Sequence, residues 1–412
     1  MTGIGTQNGA LNGTQNGVEN GARNGAEDGG QRIVVAGAGL AGHEVVRRLL
    51  ASPDFDGSII WHTAEPGRPY NRVLLTDLIA GRHTPDAISL PALSDPRLTT
   101  RRRPLNSIAE AEFDFLVLAT GADPVIPPVR GNAVPLRTLN DARTILRALE
   151  DGARRVAVVG GGPLGVETAC ALARRGVRTD LVHRGPHLLS RWLDAESAAL
   201  LTDSLSTAGI NVRCDTDVSA ASGTWPGADL VILACGSRPR VALARAAGLP
   251  LGRGILVDGD GRSVGDPRVF AIGDCAQGGG AVGAFAALED ARRAADAIIR
   301  QSIRRSPKEA IAAPFRHAAL RLRTYDIPGA DVAVLGPPLS DPTIQLTDQR
   351  RRTRKALTLD GDAPVAAALV GDVRAAAALA RAIGDPATPV PGVPVALLTS
   401  AVGGGAAGFD RV

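Results

Sequence analysis

Near residue 32 the chain turns from a polar, repetitive stretch into alternating runs of apolar strand and helix. Ile33-Val34-Val35-Ala36 reads as a short buried strand that runs straight into Gly37-Ala38-Gly39-Leu40-Ala41-Gly42 and a helical stretch to Leu50. A second apolar run, Ser58 to Trp61, ends near Glu65, which completes strand-helix-strand order around a glycine turn. The pattern returns at Arg155. Val156-Ala157-Val158-Val159 leads into Gly160-Gly161-Gly162-Pro163-Leu164-Gly165, a helix carrying Glu167 to Arg175, and a strand from Thr179 to His183.

A second feature is also written twice. Phe113 to Pro124 and Ala228 to Pro239 each run from an acidic residue through a buried strand to a glycine turn closed by proline: Ala119-Thr120-Gly121-Ala122-Asp123-Pro124 and Ala234-Cys235-Gly236-Ser237-Arg238-Pro239. The turn follows the first glycine of its own loop by 84 residues in one copy (37 to 121) and 76 in the other (160 to 236). Then come Gly254 to Asp258, a turn, Val269 to Ile272 ahead of Gly273-Asp274-Cys275-Ala276, and a helical run from about Ala284 to Arg300. From Ala312 the pattern shifts to short strands at Val332 to Leu335, Arg354 to Leu359 and Ala366 to Val370, followed by an alanine-rich helix from Ala375 to Ile383. The reading is an α/β chain of two Rossmann-like dinucleotide-binding domains with a small C-terminal α+β domain. The first comprises residues 31–124 and 246–310, the second (125–245) is inserted in it, and the third spans 311–390. Residues 1–30, with Asn-Gly at a period of four and almost no apolar residues, read as a disordered tail, and 391–412 as a flexible one.

Composition narrows the partners. Charge is 46 − 42 = +4 over 412 residues and aromatics are 3%, too dilute and too few for a nucleic-acid surface. No apolar stretch is long enough to span a membrane, the amino terminus has no signal-peptide order, and the four cysteines form no C-x-x-C. The expectation is a cytoplasmic protein with reduced thiols, no metal, no membrane and no nucleic-acid partner; an oligomer is left open.

In a loop of this kind the first glycine permits the tight turn, the second lets backbone approach a pyrophosphate, and the third brings the helix close to the sheet. The anion then rests on unpaired N–H groups at the positive end of the helix. An acid at the end of the second strand normally binds a ribose diol. Glu65 stands there in the first unit, with an exposed loop glutamate as the alternative. The second unit ends Leu181-Val182-His183-Arg184, with no acid and an available guanidinium, which leans toward a 2′-phosphate and NADPH, with a solvated arginine as the alternative. Two nucleotide sites in one chain invite transfer between two cofactors, and a nicotinamide and a flavin are the natural pair.

These motifs, with Tyr70-Asn71-Arg72-Val73-Leu74-Leu75-Thr76 after Glu65-Pro66 and Leu188 to Asp194 after His183, resemble FAD-dependent pyridine-nucleotide oxidoreductases of the ferredoxin/rubredoxin reductase type. In particular they resemble the flavoprotein portion of assimilatory NAD(P)H nitrite reductase. Leu369-Val370-Gly371-Asp372 resembles the small domain of the same group. The resemblance implies FAD and NAD(P)H as cofactors. Gly37, Gly39, Leu40, Ala41 and Gly42 would hold the FAD pyrophosphate, Glu65 the adenosine ribose, Asp274 after Gly273 the ribityl chain, and Arg72 would lie over the flavin. Gly160, Gly162, Leu164 and Gly165 would hold the nicotinamide dinucleotide with Arg184, and Glu167 would face the nicotinamide as the candidate catalytic residue. Thr120, Gly121 and Gly236 join the cofactor-binding set through the two repeated turns. The helix after Gly283 would point its amino-terminal dipole at the flavin. For Asp274 an Asx turn is the alternative, and for Glu167 an exposed helix glutamate.

The departures matter as much. Disulfide reductases of the wider group need a cysteine pair beside the flavin, and flavin peroxidases or oxidases one cysteine after the Tyr70 segment; that stretch here reads Leu75-Thr76-Asp77, which argues against thiol chemistry of either kind. Many ferredoxin reductases have a lysine near Asp77 that pairs with the equivalent of Glu167. The expected activity is electron transfer from NAD(P)H through FAD to a redox protein: a ferredoxin, a rubredoxin or a nitrite/nitrate reductase component. The alternatives are a redox-sensing interaction protein with slow flavin reduction and a flavin enzyme acting on a small molecule. Arg101-Arg102-Arg103 and Arg350-Arg351-Arg352 with Arg354-Lys355 are candidates for docking an acidic carrier, with solvated surface charge as the alternative. Reversing charge at Arg184 tests the phosphate argument: Arg184→Glu should lower the NADPH-over-NADH ratio of kcat/KM about tenfold or more, and an unchanged ratio would remove Arg184 from the choice.

Overall fold

The computed structural model describes residues 30–129, 131–218, 225–278, 283–302, 319–339, 342–361 and 363–384. Apart from Gly30, both expected tails lie outside these residues. Ile33, Val34 and Val35 are no more than 1% exposed, as befits a continuous apolar run at the centre of a parallel sheet covered on both faces. Ser58–His62 and Leu98–Arg101 lie to one side of Arg32–Ala36, and Phe115–Leu118 and Val269–Ala271 to the other, all parallel. Strand order therefore reverses beside Arg32–Ala36, directly at Gly37, and open α/β sheets form their ligand crevices at such a reversal.

The second sheet repeats the plan. Arg178–Val182 and Ile210–Arg213 lie to one side of Arg155–Val159, and Leu230–Leu233 and Ala133–Pro135 to the other, again all parallel. The twice-written turns meet each other. Ala122–Pro124 and Ser237–Pro239 pair antiparallel, with Arg238 opposite Asp123, so the chain leaves the first sheet and returns to it through one two-stranded link. Arg240 ties the link by donating to Asp123 at 2.6 Å, while the Thr120 hydroxyl donates to the Arg240 carbonyl at 2.8 Å.

The third sheet is antiparallel, in the order Ala319–Arg321, Val332–Leu335, Ala363–Val370, Thr353–Asp360, Ile344–Asp348. Its two faces alternate with the strand period of two. Ala333, Leu335, Ala367 and Leu369 pack under the helix Ala376–Gly384. Val332, Val334, Ala368 and Val370 belong to the same core as Leu201 and Leu205 of the second unit's helix Ala195–Thr207. The third domain is thus held by a shared apolar core rather than on a tether.

Several elements exceed the expectations. The edge strand Ile344–Asp348 is mostly exposed, so it carried no apolar alternation to reveal it. The helices Leu139–Glu150 and Ala195–Thr207 were not anticipated, although each has a polar start signal: a capping box between Thr138 and Asp141, and Asp194 accepting from the Ser197 N–H. Among the described residues no helix is long and apolar enough to cross a membrane.

One expected docking run needs correction. Arg354 is 4% exposed, ion-paired with Glu196 at 2.6 Å and donating to Ser197 at 3.1 Å, and the Lys355 ammonium pairs with Asp372 at 3.0 Å. Both strand charges are spent inside the protein, because Arg354 faces the helix Ala195–Thr207 across the domain contact. Arg354→Met should therefore lower stability by about 1–3 kcal/mol in urea unfolding, and Arg354→Lys should not rescue it, since one ammonium cannot reproduce the guanidinium fork.

Candidate functional site

The two glycine loops are superposable in their chemistry. Gly37 and Gly160 have φ of +121° and +126°, and a Cβ on either would stand 2.1 or 2.2 Å from a carbonyl oxygen, Ala119 or Ala234, of the neighbouring strand's exit. Only glycine makes that turn. Gly42 and Gly165 face inward: a Cβ there would lie 2.1 and 1.7 Å from the carbonyl oxygens of Gly37 and Gly160. Gly39 and Gly162 are the opposite case, with nothing within 4 Å of an added Cβ. They are also the N-caps of Leu40–Ala51 and Pro163–Arg174, and neither supplies a capping side chain. Each helix therefore offers uncapped N–H groups at its positive end beside an open glycine, which suits a pyrophosphate.

The first loop opens onto a cavity of about 1850 Å³, larger than the roughly 300–1,000 Å³ of most small-molecule sites. Gly37, Gly39, Leu40, Ala41, Gly42, Glu65, Arg72, Thr120, Gly121, Gly273 and Asp274 all line it. So does the start of the helix Ala284–Ser302, which packs its small residues Ala291, Ala294 and Ala295 into the core it shares with Leu40–Ala51. The open glycine, the uncapped helix and this volume fit an FAD.

Glu65 is not an isolated loop acid. One carboxylate oxygen accepts from Arg72 and the other from the Tyr70 hydroxyl at 2.5 Å. Burial alone would raise this carboxyl, but Arg72 and Tyr70 outweigh it and hold the acid below its ordinary range. The Tyr70 hydroxyl accepts in turn from the Leu139 N–H at 2.9 Å, and Arg72 donates to the Arg137 carbonyl. Asp274 accepts from Arg137 at 2.5 Å, an ion pair rather than an Asx turn. A chain of polar contacts thus joins Asp274, Arg137, Arg72, Glu65 and Tyr70 along the cavity wall. Neither Tyr70, within the stretch Tyr70 to Thr76, nor Arg137 carries a local pattern that marks it for this role.

The second loop contributes Leu164 and Glu167 to the same cavity, while Gly160, Gly162, Gly165, Arg184 and Gly236 lie off it. The His183 ring fills the space against Gly161 and accepts from its N–H through Nδ1 at 3.2 Å, which leaves the proton on Nε2. Arg184 beside it is exposed.

Glu167 is 8% exposed, not a surface helix glutamate. The Arg323 N–H donates to its Oε1 at 3.0 Å and the Thr76 hydroxyl to its Oε2 at 3.4 Å. Burial pushes its pKa up to about 7, with Asp77 adding to the rise and Arg323 opposing it. The Arg323 guanidinium, from the third domain, also stands 3.3 Å from Asp77, which is 4% exposed. Arg323 was missed because it is a single arginine 156 residues from Glu167, with no local pattern to mark it. The exposed arginines on the cavity lining, Arg68, Arg240, Arg245, Arg321, Arg374 and Arg381, were missed for the same reason, whereas Arg101 to Arg103 are exposed but do not line it.

The glycine geometry makes a paired prediction. Gly165→Ala should cost about 1–3 kcal/mol in urea unfolding, because its methyl meets backbone that cannot yield. Gly162→Ala should stay within about 1 kcal/mol of the parent yet weaken nicotinamide dinucleotide binding in a titration, since its methyl occupies the open approach.

A family model described as pyridine nucleotide-disulphide oxidoreductase matches residues 31–297. The chain is 28% identical over 290 residues to the assimilatory nitrate reductase electron transfer subunit of Bacillus subtilis (strain 168), a match covering 61% of this chain and 37% of that protein. It is 30% identical over 281 residues to the nitric oxide reductase FlRd-NAD(+) reductase of Klebsiella pneumoniae subsp. pneumoniae, covering 61% of this chain and 74% of that one. The chain spans less than half the length of the first curated relatives it matches. Among solved structures, the covalent putidaredoxin reductase-putidaredoxin complex aligns with a TM-score of 0.72 at 24% identity, over 90% of this chain and 99% of the other. NADH:rubredoxin oxidoreductase from Clostridium acetobutylicum aligns at 0.66 and 21%, over 86% and 94%. With its twin glycine loops on twin parallel sheets, the chain belongs to the pyridine nucleotide-disulphide oxidoreductase family.

Proposed function

We propose that this chain binds FAD on the first glycine loop and NAD(P)H on the second, and passes electrons from the nicotinamide to a separate redox protein. The observation that carries this reading is the shared cavity: the first loop lines it, and the helix of the second loop places Leu164 and Glu167 in it. When bound, FAD supplies a centre that takes two electrons from a reduced nicotinamide and releases them to a protein carrier. Gly37, Gly39 and the uncapped start of Leu40–Ala51 hold its pyrophosphate. Asp274, fixed by Arg137, accepts hydrogen bonds from its hydroxyls, and the start of Ala284–Ser302 presents a positive dipole end to the cavity. Glu65, with both oxygens engaged by Arg72 and Tyr70, orients the wall and keeps one free lone pair on each oxygen for a ribose.

On this reading residues 31–124 and 246–310 form the FAD domain, 125–245 the NAD(P) domain, and 311–390 the small domain that bears part of the cavity rim. The names of relatives, an assimilatory nitrate reductase electron transfer subunit and a nitric oxide reductase FlRd-NAD(+) reductase among them, support a protein acceptor. Arg68, Arg245, Arg321 and Arg381 are exposed on the cavity lining and favour an acidic one. Free cysteines throughout the described residues support a reducing, cytoplasmic setting.

Purified protein should be yellow, and anaerobic addition of a reduced nicotinamide should bleach it rapidly. Turnover with an acidic ferredoxin or rubredoxin should fall about tenfold between low and high salt, and Arg321→Glu with Arg381→Glu should produce the same loss at low salt. Slow bleaching with a persistent charge-transfer band and a change in oligomeric state would point instead to the redox-sensing alternative.

A further inference from the structure

Two buried carboxylates share one guanidinium beside the cavity, and each comes from a different part of the fold. Asp77 lies on the short helix Leu75–Ile79, Glu167 on the first turns of Pro163–Arg174, and Arg323 on the third domain just after the strand Ala319–Arg321. The Arg323 guanidinium is 3.3 Å from Asp77 and 3.9 Å from Glu167, and its backbone N–H holds Glu167 directly. Asp77 receives no directed hydrogen bond on that oxygen, so the guanidinium is divided between two acids rather than locked onto one.

The loop that carries Arg323 is anchored on every side. The Thr324 hydroxyl donates to Asp331 at 2.9 Å. Tyr325 is buried under Arg82, whose guanidinium lies 5.0 Å from the ring centroid, and Asp326 pairs with Arg82 at 2.5 Å and Arg174 at 3.6 Å. Tyr325 and Asp326 both have positive φ, 53° and 66°, a conformation uncommon for a bulky residue such as the buried Tyr325 and one that surrounding contacts hold there. The turn is therefore specified by packing, and it presents Arg323 to the two acids.

We infer that Arg323 is a positioning residue, by which the third domain sets the charge of Glu167 in competition with Asp77. This rests on the reading of Glu167 as the acid at the nicotinamide end of the site. With both acids ionised the cluster carries a net negative charge in a poorly solvated place, and one proton neutralises it. The groups facing Glu167 are Thr76 and Asp77 from the short helix, Arg323 and Tyr325 from the loop, and Cys170 on its own helix; Arg82 and His83 face Asp77. Burial raises both carboxyls, and Arg323 opposes the rise at each. The signs of the two perturbations are opposite: losing the cation favours protonated Glu167, and losing the competing anion favours the carboxylate. A chain with an acid at position 77 thus takes its cation from another domain, and the charge at the cavity depends on that domain being docked.

The test is a carboxyl NMR titration of the FAD-loaded protein with isotope-labelled glutamate and no reductant present, the Glu167 signal being assigned by its loss in Glu167→Gln. Relative to the parent, Arg323→Met should raise the Glu167 midpoint by about one pH unit or more, and Asp77→Asn should lower it by a similar amount. Arg323→Lys should return the midpoint toward the parent's. Should Arg323→Met fold poorly, Arg323→Gln, which removes the charge but keeps an amide donor, should raise the midpoint likewise, and an unchanged midpoint in Arg323→Gln would overturn the inference. Midpoints that stay at the parent value, or that move in the same direction in Arg323→Met and Asp77→Asn, would overturn the inference. Bleaching by NAD(P)H is then followed against pH in the same variants. If the midpoints move as stated and no variant is bleached at any pH, the functional reading falls while the assignment of Arg323 is supported.

Discussion

A helix packed against its strand at backbone distance is the contact from which this molecule's geometry follows. At Gly42 and Gly165 no side-chain carbon can be added without striking the carbonyl oxygen at the start of the same loop. That closeness lets the strand turn into the helix within a few residues, so the uncapped first turn points back over the carboxyl end of the sheet. The strand order reverses at the same place in both sheets, where open α/β sheets form their ligand crevices, and the first of the two turns opens onto the cavity. The uncapped helix start proposed to hold a pyrophosphate is a by-product of packing glycine against backbone, and that local geometry is made twice.

The two copies are joined by the residues that repeat. Ala122–Pro124 and Ser237–Pro239 pair with one another, so the duplicated turns form the single link through which the second unit is inserted into the first. The third domain adds a different kind of constraint. One face of its sheet completes the core of the second unit, and Arg354 closes the contact with Glu196 and Ser197. This broad apolar contact holds the Arg323 loop against two acids from elsewhere in the fold. The electrostatics at Glu167 therefore depend on domain docking as well as on its burial and on Asp77.

The acids along the cavity differ in how they are kept. Glu65 is held charged by Arg72 and Tyr70, whereas Glu167 is drawn toward neutrality by burial that a shared arginine only partly offsets. One wall of the cavity thus has fixed charge and the other a charge that changes near neutral pH. The first suits a group that stays bound, and the second a place where reactants come and go.

Much of the fold was legible in local pattern. Apolar runs such as Ile33 to Ala36 must be buried, and the Gly37 and Gly160 loops permit little besides a strand-to-helix turn, so the two parallel units and their order could be read from the chain. The helices that follow Thr138 and Asp194 carry a local signal as well, in the side chains that cap their first turns. The edge strand Ile344–Asp348 left little trace, since exposed strands need no apolar pattern. What the chain alone determined is where backbone turns, because turning is a property of neighbouring residues. Which charges meet was decided only by tertiary structure: Arg323 on Asp77 and Glu167, Arg137 on Asp274, Arg354 on Glu196. Pairing depends on distances in space that carry no signature in sequence separation, and a lone arginine reads the same whether it ends in solvent or between two buried acids.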